Sequence, residues 1–147
     1  MRRSSSNLVR MSVATFGLLV SLTSVAVSQT EIRTERVQFV PGESSAVVED
    51  TIQGYTIVDY VLGAGKGQFA NISMATDNTS NYFNILAPEE DDVAIFTGSV
   101  SGNQFEGVLP ASGDYKVRVY MMRSAARRYE VASYRLEIMI EDSDGDH

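Results

Sequence analysis

The sequence predicts an all-β fold, a single-domain antiparallel β-sandwich of about eight or nine strands. Three observations lead there. From Glu35 onward, short runs alternate apolar and polar residues, recur at roughly ten-residue spacing, and are separated by clusters of Gly, Ser, Asn, Asp and Pro. Helical periodicity is nearly absent. No repeat of fixed period and no linker divides the chain, and 147 residues suffice to bury one core without staples.

Taken in order, the expected strands are 36–40, 46–50, 55–62, 68–76, 82–86, 93–96, 104–109, 115–121 and 134–141. Breaks at Pro41-Gly42, 63–67, 77–81, 88–92, 98–103 and Ala111-Ser112-Gly113 carry turn chemistry. The alternation is clearest over 115–121, where Tyr115, Val117, Val119 and Met121 share one face and Lys116, Arg118 and Tyr120 the other. The last run repeats it, with Tyr134, Leu136, Ile138 and Ile140 inward. These two runs are expected to pair as a hairpin. Between them, residues 124–130 have helix-forming composition and read as a loop with a helical turn.

The N-terminus reads as a targeting segment. Arg2, Arg3 and Arg10 precede an uncharged, mostly apolar stretch that ends in Ala26-Val27-Ser28, a small-x-small cleavage site. The expected organisation is a signal peptide over 1–28, a sandwich domain over 29–140 and an acidic disordered tail over 141–147. A Sec-type signal cleaved after Ser28 implies a periplasmic or secreted protein with no membrane association after cleavage. No cysteine occurs, which removes disulfides, thiol catalysis, cysteine metal sites and N-terminal lipidation. Loss of the three arginines takes the formal net charge from −7 to −10. Nucleic acid is therefore a poor partner, since phosphate binding needs a basic stripe, and a cationic protein is a better one.

An enzyme is not expected. The only histidine is His147, at the end of the acidic tail, so no base remains for a nucleophilic triad and no histidine-based zinc site can form. Asp142-Ser143-Asp144-Gly145-Asp146 resembles the opening of a calcium loop but lacks the bidentate glutamate that closes one. Among nineteen carboxylates none lies in a recognisable acid/base arrangement. No cofactor and no metal is expected.

Arginine is the informative residue. Four of the nine basic residues that remain after cleavage, Arg118, Arg123, Arg127 and Arg128, fall within eleven positions of an otherwise acidic protein. On a helical turn Arg123 and Arg127 would lie on the same side and repel, which an anion between them would relieve. The competing reading pairs these arginines with Glu130, Glu137 or backbone carbonyls. Tyr55, after Gly54, raises the same choice between packing and recognition.

Together, Ser112-Gly113-Asp114-Tyr115, then Arg118-Val119, then Arg123-Ser124-Ala125-Ala126-Arg127 resemble the signature of the bacterial periplasmic inhibitors of g-type lysozyme. The likeness extends to Gly54-Tyr55 and Gly67-Gln68 and spans about residues 37–140. The resemblance implies a compact sandwich whose loops plug a lysozyme's substrate cleft. It places the inhibitory contacts at Tyr55, Ser112, Gly113, Arg123 and Arg127, with Tyr115 and Arg118 in support. Tyr55, Ser112, Arg123 and Arg127 are then expected to converge on one edge of the domain. The alternative is an exported carbohydrate- or peptidoglycan-binding sandwich without enzymatic activity, similar to the prepeptidase C-terminal domains.

Overall fold

The computed structural model describes residues 30–143. The expected signal peptide and the last four residues of the expected tail lie outside them. Nine strands form: β1 Ile32–Arg36, β2 Ser45–Gln53, β3 Ile57–Ala64, β4 Phe69–Thr76, β5 Asn81–Leu86, β6 Ala94–Thr97, β7 Gln104–Val108, β8 Gly113–Met121 and β9 Val131–Glu141. Two short helices join them, α1 at Gly98–Ser101 and α2 at Arg123–Arg127.

The strands make two sheets, a five-stranded one in the order β1-β3-β8-β5-β6 and a four-stranded one in the order β2-β9-β4-β7. All pairings are antiparallel except β1 with β3. The two runs of clearest alternation are the centres of opposite sheets. β8 lies between β3 and β5, and β9 between β2 and β4, so the hairpin expected of them does not form. Their connection explains why. Nine residues, 122–130, are long for a hairpin loop, and α2 uses them to cross from one sheet to the other.

The faces follow the alternation. Tyr115, Val117, Val119 and Met121 from β8 and Tyr134, Leu136, Ile138 and Ile140 from β9 are all buried, meeting between the sheets with Tyr60, Leu62, Ile72 and Phe83. Each such side chain removed from water contributes roughly 1.5–3 kcal/mol against chain entropy. Two tyrosines carry polar atoms into this layer and satisfy each other, the hydroxyls of Tyr60 and Tyr134 lying 2.6 Å apart. Burial holds the Tyr134 hydroxyl far above the usual phenol range, so it stays neutral.

The strand expected at 36–40 does not form there: β1 lies at Ile32–Arg36 and ends where the expected one begins, because this edge strand is nearly all exposed and has no apolar alternation to mark it. Parallel pairing of Ile32 with Ile57 through Arg36 with Val61 defines it instead. At the other end of the domain β9 includes Glu141, and Gln68 Nε2 donates to Asp142 Oδ1 at 3.0 Å.

Candidate functional site

Where β8 ends, the chain turns into α2, and small residues decide how it sits. Ala125 and Ala126 are 0% and 2% exposed, so the short helix lies directly on the sandwich with its arginines turned outward. The Met122 N–H donates to Ser80 O at 2.9 Å and the Ala126 N–H to Met122 O at 2.9 Å, fixing the entry to the turn. Arg123 and Arg127 are both exposed, and neither makes an ion pair or side-chain hydrogen bond among the described residues. Arg128 differs, since its Nε donates to Glu130 Oε2 at 2.9 Å. A hydrogen bond from Asn78, then that from Arg128, holds the Glu130 carboxyl below the usual glutamate range.

The Gly54-Tyr55 segment closes against this corner from β2. The Gly54 N–H donates to Glu130 O at 3.0 Å. Gly54 has φ +64°, and a Cβ there would lie 3.1 Å from the ring of Tyr129, so both the backbone and the packing call for glycine. Tyr55 is half-buried and lines a surface cleft of about 290 Å³ with Asn84, Arg118 and Tyr120. Arg118 is committed inside the fold. Its Nε and Nη2 donate to the two carboxylate oxygens of Asp59 at 2.8 and 2.9 Å, and Asp59 is only 4% exposed. That hydrogen bonding raises the guanidinium pKa above its ordinary value. The outward face of β8 is thus less available than its polarity suggests.

Ser112 and Gly113 stand at the other end of β8. In register, Ala64 pairs with Gly113 while Val58 pairs with Val119 and Asn81 with Met121. Eight steps of antiparallel strand separate Gly113 from Met121, about 27 Å. The expected convergence of Tyr55, Ser112, Arg123 and Arg127 on one edge is therefore not what the fold produces. Tyr55, Arg118, Arg123 and Arg127 gather at the α2 end, and Ser112, Gly113 and Tyr115 at the opposite end.

The Ser112 turn is tightly built. Ser112 Oγ accepts the Lys66 N–H at 2.8 Å. Gly113 has φ +140°, and a Cβ on it would meet Pro88 at 2.8 Å, a contact no side chain makes. Tyr115 is buried, and its hydroxyl donates to Ala111 O at 2.6 Å and accepts the Ala111 N–H at 3.0 Å. The Ser-Gly-x-Tyr stretch thus ties a corner together, with the serine at its exposed rim.

One residue of the α2 end gave no signal in the sequence. Tyr129 follows α2, is 63% exposed and adopts φ +58°.

Comparison with known proteins fits this architecture. No family model matches the chain. The inhibitor of g-type lysozyme of Escherichia coli strain K12 is 31% identical over 137 residues, covering 90% of this chain and 96% of that protein. The crystal structure of Aeromonas hydrophila PliG, a periplasmic lysozyme inhibitor of g-type lysozyme, aligns with TM-score 0.71 and 34% identity over 76% of this chain and 98% of its own. The prepeptidase C-terminal domain of a Bacillus anthracis collagenase aligns with TM-score 0.52 at 14% identity over 75% of this chain and 96% of its own, a likeness of fold alone. With near-complete coverage on both sides at that identity, the chain belongs to the family of g-type lysozyme inhibitors.

Proposed function

We propose that this chain is exported to the periplasm behind a signal peptide at 1–28 and there inhibits a g-type lysozyme by presenting the α2 end of the sandwich to its substrate cleft. Tyr55, Arg123 and Arg127 make the contact, and Arg118 supports the fold beside it; Tyr115 braces the Ser112 corner through Ala111. The Ser112-Gly113 turn, about 27 Å away along β8, preserves the opposite corner. One observation carries the reading: two exposed guanidinium groups, four residues apart on a turn seated by buried alanines, have no partner among the described residues.

The chemistry suits the target. A lysozyme must protonate a glycosidic oxygen from a carboxylic acid in its cleft. A guanidinium fork pairs with a carboxylate through two charge-assisted hydrogen bonds, and two of them can engage that acid and a neighbour. Catalysis then stops because the acid is engaged and because the sugar is kept out.

Purified protein lacking 1–28, added to g-type and c-type lysozymes acting on cell walls, tests this by loss of turbidity. The expected result is arrest of the g-type enzyme near a one-to-one ratio, with the c-type enzyme much less affected. Full lysis by several g-type enzymes at large excess of the protein refutes it. The fold is also shared with a collagenase domain, so a cell-wall pull-down belongs beside the assay. Binding to peptidoglycan without binding to lysozyme favours the carbohydrate-binding alternative.

A further inference from the structure

Tyr129 occupies a position that the backbone would give to another residue. It follows α2 in the left-handed region, φ +58°, where helix ends usually place glycine or asparagine because a Cβ is strained there. It is not driven there by burial, since it is 63% exposed. Yet it is held. Its N–H donates to Ala126 O at 2.9 Å, and its carbonyl accepts from Gln53 Nε2 at 3.2 Å. One edge of its ring lies against Gly54, where even a methyl group would come within 3.1 Å of Cδ1. Gly54 thus leaves room for the ring, and the ring, backed on one side, shows its other side to solvent.

Strain retained at an exposed aromatic residue points to a use outside the fold. The surroundings say which. Arg127 is two residues before Tyr129, Tyr55 is next to the glycine that supports the ring, and Met122 at the start of the turn is 39% exposed. Tyrosine, arginine and methionine are the residues enriched at the cores of protein interfaces. A ring already fixed in place loses little freedom on binding.

We propose that Tyr129 is an anchor of the lysozyme contact, packing its open face on the wall of the cleft beside the acids met by Arg123 and Arg127. This rests on the inhibitory reading above. It extends the site beyond the positions the family resemblance marks.

The test uses Tyr129→Gly and Tyr129→Asn, both of which tolerate the left-handed backbone and remove the ring, and Tyr129→Phe, which keeps it. Inhibition constants for a g-type lysozyme are measured beside melting temperatures. Tyr129→Gly and Tyr129→Asn are expected to weaken inhibition about thirtyfold, the loss typical of an interface hot spot, while melting at or above the parent temperature. Tyr129→Phe should stay within about threefold of the parent, since it retains the packing area. Parent-like inhibition by the Gly and Asn variants overturns the proposal, and so does weakening that tracks lost stability; both leave the inhibitory function intact. A parent protein that does not inhibit removes the functional reading itself, and this proposal with it.

Discussion

Arg123, Arg127 and Arg128 stand within six positions, and only the last has an ion-pair partner among the described residues. Its exposed pair with Glu130 contributes at most about 1 kcal/mol. Arg123 and Arg127 have nothing to lose in the free protein and much to gain against a carboxylate. If they are buried against acids in the complex, Arg123→Ala and Arg127→Ala should each weaken inhibition by about 2–5 kcal/mol with unchanged melting temperature, and Arg128→Ala by less than about 1 kcal/mol. Ser112→Ala separates the two ends of β8. It leaves the Lys66 N–H to water at an exposed rim, so it should shift stability slightly and leave the inhibition constant within about twofold. A large loss of inhibition from Ser112→Ala, or none from either α2 arginine, would move the site to the other corner. The arginine cluster was legible in the sequence because its charge opposes the background. Tyr129 was not, because nothing in a string of residues records a positive φ.

At the scale of elements, strand faces were readable and strand partners were not. Alternation correctly divided Tyr115, Val117, Val119 and Met121 from Lys116, Arg118 and Tyr120, since period-two burial is written into each strand locally. Whether β8 pairs with β9 depends on how 122–130 cross the edge of the sandwich, where Ala125 and Ala126 are buried, and alternation within a strand carries no record of that. Asp59 shows a similar gap. Alternation sets it on the outer face of β3, yet Arg118, its register partner on β8, covers it to 4% exposure. That ion pair links β3 to β8, the central strand of its sheet, and removing one member leaves the other unpaired. Arg118→Ala should therefore destabilise the domain by about 3 kcal/mol, the lower end of the cost of orphaning a buried charge, because the arginine itself is 21% exposed. Asp59→Asn combined with Arg118→Met should recover a good part of that. Denaturant melts within about 1 kcal/mol of the parent for Arg118→Ala would show that water reaches Asp59 and that the pair is not structural.

Over the whole molecule, charge works at two lengths. The protein is acidic, formally −7 and −10 once Arg2, Arg3 and Arg10 are removed, whereas the α2 end presents unpaired positive groups. Acids are spread elsewhere, for instance Glu43 and Glu141, exposed at the end of the β2-β9-β4-β7 sheet opposite α2. A cationic lysozyme would be drawn by the net charge from a distance, and its cleft carboxylates would meet the arginines only on close approach. The two effects separate under salt. Screening acts over roughly 8 Å at physiological ionic strength, so it weakens the long-range attraction while pairs sealed in the contact are little affected. Raising sodium chloride from about 0.05 M to about 0.5 M should slow association about tenfold or more and change dissociation by less than about twofold. Replacing Glu43 and Glu141 with Gln should slow association at low salt and leave dissociation alone, because both are exposed at the end of β9 opposite α2. Stopped-flow binding to a g-type lysozyme measures both rates. If the association rate is flat across that range, net charge plays no part in the encounter, and the surface acids serve solubility rather than capture.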